Sequence, residues 1–379
     1  MSANVKIARP SRTNFANFDK ILFSAVIALL FIGTLLVYAG TREWFRSNNL
    51  DPEYYLKRHV LNILIGALLA YGTTLIDYRL LRAYTPIVWG AGVLGLLVVL
   101  VAGTTVNSAK AWIAFPGGFQ LQPAELAKIS IIVGMAMVLA ERKDLRGDPT
   151  DSDVAKSLLV AAIPVGLILL QPDLGTVLII SAAVVAMIGA SGAPIRWVVG
   201  LLIVAGVGGL VAVQAGVVSE YQVKRLQSFI DPAADPQLSG YQLRQARITI
   251  GSGGFFGKGL FDGPQTNGRF VPEQQTDFIF TVAGEELGFL GCSLILLLYS
   301  IIFIRGFMIA RNTNDLFGRL VCVGVIAWFA FQTFENIGMT MGLMPMTGVP
   351  LPFLSYGGSS MFANLIGVGL LQNVHVRTR

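Results

Sequence analysis

The sequence predicts an all-α polytopic membrane protein, a bundle of ten transmembrane helices with one long extracytoplasmic loop. Composition is the first reason: of 379 residues, 54% are hydrophobic and only 13% charged. A soluble domain of this size would carry roughly twice that charged fraction. The second is a mean hydropathy of +0.66. The third is the recurrence of uncharged apolar runs of the length needed to cross about 30 Å of hydrocarbon.

The first run, 21–40, is too long for a signal-peptide core and has no convincing cleavage site, so it reads as a retained span. The others lie near 59–76, 85–103, 125–140, 157–170, 174–190, 197–215, 278–304, 318–343 and 359–374. An even number puts both termini on one side, and the chain reads as one membrane domain over 1–379. Segments on the terminal side hold sixteen Lys and Arg, from Lys6 to Arg379. The short loops opposite hold five: Arg42, Arg46, Lys57, Arg58 and Lys110. Basic residues accumulate on the cytoplasmic side, which places both termini there. The same bias explains the net charge of +6 without a nucleic-acid partner. Cys292 and Cys322 lie in apolar runs and read as small hydrophobes, while His59 and His375 are too far apart for a Cys/His metal site.

Residues 216–277 form the one long loop, on the outer side, with six basic and six acidic residues. Long loops of this kind are uncommon and usually functional. Within it YQVKRLQSFI and GYQLRQARITI mix apolar and basic positions, as interfacial helices do. GSGGFFGKGL then places five glycines in nine residues. Their spacing misses the dinucleotide fingerprint. Two readings stay open: a flexible hinge, or backbone N–H groups that hold a phosphate beside Lys258, Arg244 and Arg247.

Four polar clusters fall on the outer face. AKAWIAFPGGFQLQPAELAK leads into the fourth span, QPDLGT into the sixth and QQTDFIF into the eighth, and MTGVPLPFLSYGGSS joins the ninth to the tenth. Glu125 and Lys128 are three apart on a helix and share a face. They are either an ion pair at headgroup level or a buried functional pair beside Asp173. Asp277 stands where a helix N-cap would, a favoured place for Asp, or it is a catalytic carboxylate. Glu285 and Glu286 lie two turns deeper, where capping cannot explain them. One would face the protein interior and the other a basic group on a neighbouring span. The Pro-Leu-Pro of GVPLPFLSYGGSS excludes regular helix, and broken backbone at membrane depth persists only inside protein or along a cavity.

Trp112, QPAELAK, QPDLGT, IGSGGFFGKGL, FVPEQQTDFIF, GEELG, ENIGM and GVPLPFLSYGGSS, in this order over nearly the whole chain, resemble the SEDS family (shape, elongation, division and sporulation). FFGKGLFDG followed by FVPEQ is more similar to its elongation member than to its division member. The resemblance implies ten spans and a peptidoglycan glycosyltransferase that polymerises lipid II at the outer face of the bacterial cytoplasmic membrane. It also implies a class B penicillin-binding protein as transpeptidase partner. The family's essential aspartate falls on Asp277, and its paired Glu and Lys fall on Glu125 and Lys128. Two positions depart from the family pattern: Ala111 stands where an Arg usually precedes the Trp, and Gln275 where His is common.

Joining two lipid-linked sugars requires a hydroxyl of one to attack the anomeric carbon of the other and expel a lipid diphosphate. Inversion at that carbon means a single displacement, which needs one carboxylate base, here Asp277. Cations must meet the charge gathering on the diphosphate. Lys128, Lys110, Lys258 and Arg244 are the candidates, and a divalent cation such as Mg is a further option, though no cofactor is certain. Trp112, Asp173, Glu285, Glu286, Ser355 and Tyr356 complete the expected contacts to lipid II and the growing glycan strand. The rival functions are a lipid II flippase and a scaffold. A flippase needs a polar path through the midplane, whereas the polar clusters here gather at one face. A scaffold leaves the Glu125/Lys128 pair unexplained.

Overall fold

A computed structural model of the chain describes residues 17–106, 109–115, 119–215, 220–231 and 239–378. Lys6, Arg9, Arg12 and Arg379 of the charge count lie outside the described residues, as do 216–219 and 232–238 of the long loop. The helices of eighteen or more residues are α1 Lys20–Ser47, α2 Tyr54–Leu75, α3 Tyr78–Ala102, α4 Pro123–Arg146, α5 Asp151–Leu169, α6 Leu174–Ser191, α7 Ile195–Gln214, α11 Ile279–Asn312, α12 Leu316–Met341 and α13 Gly358–Thr378. Each overlaps one expected span. Seven of them (α1, α3, α4, α5, α6, α11 and α12) are long and apolar enough to cross a membrane by length and composition. The chain is a polytopic helical membrane protein.

Helix α13 is too polar for that test because its polar side chains serve the ends of other helices. Gln372 accepts from the Asp19 amide (2.8 Å) and donates to the Asp19 carbonyl (3.0 Å), and Asn373 donates to the carbonyls of Ile76 (2.6 Å) and Thr73. Most of α13 is buried, packed against α2, α4 and α12. Helices α4 and α12 are likewise mostly buried and form the centre of the bundle, whereas α7 touches only α6 among the larger packing contacts.

Three short antiparallel strands between α3 and α4 were not expected: β1 Thr104–Val106, β2 Ala109–Phe115 and β3 Phe119–Leu121, in the order β1-β2-β3. A membrane-sized hydropathy window averages over such short strands. The local signal was there in AKAWIAF, which alternates and ends at Pro-Gly-Gly, a turn sequence. In the long loop, both amphipathic segments are helical, as α8 Glu220–Ile230 and α9 Ser239–Ser252, followed by the single turn α10 Pro264–Asn267.

The amides of the glycine run that would hold a phosphate are taken up by backbone carbonyls of the protein. Helix α11 breaks at Gly288 (φ 66°, ψ −163°), which orphans backbone groups on both sides of the break. The run lies against the break and satisfies them. The amides of Lys258 and Gly259 donate to the carbonyls of Glu285 and Glu286 (2.9 and 3.1 Å). Those of Phe289 and Leu290 donate to Gly254 and Phe255 (3.0 and 3.2 Å). A Cβ on Gly253 would stand 2.0 Å from the Gly284 carbonyl oxygen, and one on Gly257 2.1 Å from that of Glu286. Only glycine permits this backbone-to-backbone contact. Irregular backbone within such a helix is tolerated because another segment of the protein completes its hydrogen bonds.

Candidate active site

At one end of the bundle the first turns of α4, α6 and α13, with Arg58 and Asn62 further along α2, surround a cavity of about 340 Å³. Its walls include Trp112 of β2, Gln122 and Glu125 at the start of α4, Asp173 at the start of α6, Asp277 before α11, and Tyr356 and Ser359 before and within α13. The four polar clusters expected on one face therefore meet around one space. Hydrogen bonds tie their segments together. The Gln122 amide donates to Ser359 Oγ (2.8 Å), Gln122 Nε2 donates to Asp173 Oδ2 (3.0 Å), and the Tyr356 amide donates to the Gln275 carbonyl (2.9 Å). Helix N-termini favour anions, through free amides and the aligned peptide dipoles.

Asp277 does not cap α11. The N-cap is Phe278, and no side chain accepts from the first turn. The Asp277 carboxylate instead lies over Gly348, where an added Cβ would stand 3.2 Å from Oδ2 and 3.5 Å from Arg225 Nη1. Gly348 has φ 77°, a conformation that favours glycine, and an added Cβ would make the Asp277 carboxylate give by a few tenths of an ångström. Asp277 keeps some contact with the cavity, yet protein surrounds it closely on the other sides. That burial pushes its carboxyl up to about 7, reinforced by Glu273 and opposed by Arg225. A base poised near neutrality is suited to taking a proton from a hydroxyl. Asp173 behaves differently. Burial also raises it, but its oxygens accept from the Thr176 amide (3.0 Å) and hydroxyl (2.8 Å), so it is a helix cap at the cavity wall.

Glu125 and Lys128 form an ion pair at 3.0 Å, with side chains 4% and 1% exposed. The pair is buried within the protein. Lys128 Nζ also donates to Gln332 Oε1 (3.1 Å) and lies 4.5 Å from the centre of the Trp328 ring. Glu125 lines the cavity and Lys128 sits a turn beneath it.

Several expected contacts lie elsewhere. Lys110 Nζ donates to the carbonyls of Leu100 and Val101 (2.9 and 3.0 Å) and so closes the end of α3. Lys258 and Arg244 belong to the glycine run and α9 and do not line the cavity. Glu285 accepts from the amides of Gln265 and Thr266 (2.9 and 2.7 Å) and the Thr266 hydroxyl (2.7 Å), anchoring the turn α10 against α11. Glu286 is buried beside it, with the glycine run across its carbonyl. Ser355 Oγ accepts from the Leu351 amide (2.8 Å) and shapes the Pro-Leu-Pro bend. The cations that do line the cavity are Arg58 of α2 and Arg225 of α8. The sequence marks Arg58 only as a short-loop charge and Arg225 only as one of six long-loop basic residues open to the diphosphate, because nothing local shows which basic residue turns inward. Among the described residues no group of three or more His, Cys, Asp and Glu is placed to ligate a metal.

The family described as "Cell cycle protein", whose members are FtsW, RodA and SpoVE, matches residues 20–379. The chain belongs to the FtsW/RodA/SpoVE family. It is 36% identical over 365 residues to the probable peptidoglycan glycosyltransferase FtsW of Trichlorobacter lovleyi, covering 95% of this chain and 93% of that one. Among solved structures it resembles a chain of a peptidoglycan synthase complex that coordinates polymerization and crosslinking. There the TM-score is 0.79 at 33% identity, over 95% of this chain and 98% of that one. It also resembles the rod shape determining protein RodA of Thermus thermophilus, with a TM-score of 0.69 at 31% identity, over 96% and 98%. As a member of this family, the chain carries the motifs QPAELAK and FVPEQQTDFIF directly at the cavity, through Gln122, Glu125, Glu273, Thr276 and Asp277.

Proposed function

We propose that this chain polymerises lipid II into glycan strands at the outer face of the cytoplasmic membrane, with Asp277 as general base. One observation carries the reading: a carboxylate raised to about 7 faces a cavity that also holds a guanidinium, Arg225, and the first turns of several helices. In the reaction an acceptor hydroxyl attacks the anomeric carbon of the donor. Its proton passes to Asp277 as the new C–O bond forms, and the bonding pair of the breaking C–O bond leaves with the lipid diphosphate. Arg58 and Arg225, with the helix N-termini, take up that charge. Lys128 holds Glu125 in place at the cavity floor. Trp112, Tyr356 and Asp173 contact the sugars.

The family includes division, elongation and sporulation members. FFGKGLFDG followed by FVPEQ supports elongation for this chain. The long helices support ten crossings in a single membrane domain over 1–379, with both termini in the cytoplasm. The bias of basic residues supports that orientation. Cysteine introduced at the exposed Asp262 should react with an impermeant reagent from outside; reaction only from the cytoplasmic side reverses the topology and moves the cavity to the wrong face. No Ser-x-x-Lys motif occurs in the outer loops, so peptide cross-linking falls to a class B penicillin-binding protein as partner.

Arg225→Gln tests the diphosphate site. Losing a charge-assisted contact of about 1.5–3 kcal/mol should lower kcat/KM for lipid II by about 10- to 100-fold. Because the guanidinium lowers the Asp277 pKa, its removal should also shift the acid limb of the pH profile upward. A variant with wild-type kcat/KM and an unmoved limb would place the diphosphate elsewhere.

A further inference from the structure

The segment between α12 and α13 passes the cavity as extended and turn backbone, with Pro350 and Pro352 unable to donate. Something else must fix it. Trp328, Gln332 and Asn336 are spaced four apart on α12 and share one face. Gln332 Oε1 accepts from Trp328 Nε1 (2.6 Å) and Lys128 Nζ (3.1 Å), while Gln332 Nε2 donates to the Pro350 carbonyl (2.7 Å). One turn along, Asn336 Nδ2 donates to the Val349 carbonyl and to the Asp277 carbonyl, each at 2.7 Å. Both amide side chains are fully buried. The orientation of Asn336 follows from its partners, since the flipped amide would set its oxygen against two carbonyl oxygens.

One helix face therefore holds both halves of the site. Gln332 grips Lys128, the partner of Glu125, and Asn336 grips the main chain of Asp277. Both grip the same strap, two adjacent carbonyls past Gly348, over which the Asp277 carboxylate lies. Asp277 needs such a hold, because it is not anchored as a cap.

We infer that Asn336 is the positioning residue for Asp277, fixing the base against the 347–350 strap while Gln332 fixes the Glu125/Lys128 pair to the same strap. The inference rests on the glycosyl-transfer reading and adds what sets the distance between its two carboxylates. Asn336 touches no substrate. It acts through the backbone of the base, and a misplacement near an ångström costs on the order of a hundredfold in rate.

The test uses the full chain with its transpeptidase partner, labelled lipid II and the variant Asn336→Leu, which keeps the volume and removes both donors. Expected are a fall in kcat of about a hundredfold with KM within about threefold. The acid limb of the pH profile should move to lower pH as the freed carboxylate meets water. A merely structural role would reduce the amount of active protein and leave the midpoint of that limb in place; that result, or wild-type kcat, overturns the inference. Should Asn336→Leu not fold, Asn336→Ser leaves room for a water to bridge the two carbonyls. It should show a smaller loss with the same direction of shift, and wild-type kcat and midpoint in it would overturn the inference equally. Wild-type protein that forms no polymer in the same assay removes the underlying reading, and this inference with it.

Discussion

Asp277→Asn should fold, bind its partner and bind lipid II, yet lose about 10²–10⁴ in polymerisation rate, the usual worth of a positioned general base. An amide takes up no proton near neutrality. Nor is a cap at stake, because α11 starts at Ile279 with Phe278 as its N-cap and no side-chain cap to preserve. Stability should move the other way. The folded carboxyl is raised from 3.8 to about 7, so wild-type stability falls as pH rises between those values and stays lowered above them, and the neutral amide removes that loss. The melting midpoint of the variant should equal or exceed that of wild type in neutral and alkaline buffer. The wild-type rate should rise with pH through about 7, where the base loses its proton, and fall about tenfold per unit below it. Asp277→Glu should retain little activity, since an added methylene pushes the carboxylate into the space over Gly348. Polymerisation by Asp277→Asn above about a tenth of the wild-type rate would remove Asp277 from the base's role.

Lys128→Ala should be the most damaging single change to folding. It leaves the Glu125 carboxylate without its cation at 4% exposure, and breaking a buried pair in this way costs about 3–5 kcal/mol. Gln332 keeps Trp328 as a donor but loses the ammonium, and the Trp328 face loses its cation. Expression and melting midpoint should both fall. The double variant Glu125→Gln/Lys128→Met removes both charges together. It should recover much of the expression without recovering polymerisation, because Glu125 is at the cavity and Lys128 acts through it. Single variants that express and polymerise like wild type would reduce the pair to a packing feature.

Much of this was legible in the sequence, for definite reasons. The helices follow from apolar run length, and the convergence of QPAELAK, QPDLGT, QQTDFIF and GVPLPFLSYGGSS follows from counting which helix ends face the same way. Asp277, Glu125, Asp173, Trp112 and Tyr356 do surround one cavity. What was not legible depends on contacts between distant segments. Arg58 and Arg225 look like any loop cation until the packing turns them inward. Glu285 looks like a substrate contact by its charge, but its oxygens are taken up by the turn at 265–266. The glycine run looks like a ligand loop, yet its composition answers a break in α11 that only Gly288, far along the chain, announces. Asn336 carries no charge and sits in an apolar helix, so its two carbonyl partners could not be inferred from spacing.

The central claim is best tested by purified wild-type chain, alone and with its transpeptidase partner, incubated with labelled lipid II in detergent or vesicles. Glycan polymer that disappears with Asp277→Asn is the predicted result. No polymer under any of these conditions, together with lipid II moved from one leaflet of sealed vesicles to the other, would contradict it and make the chain a transporter.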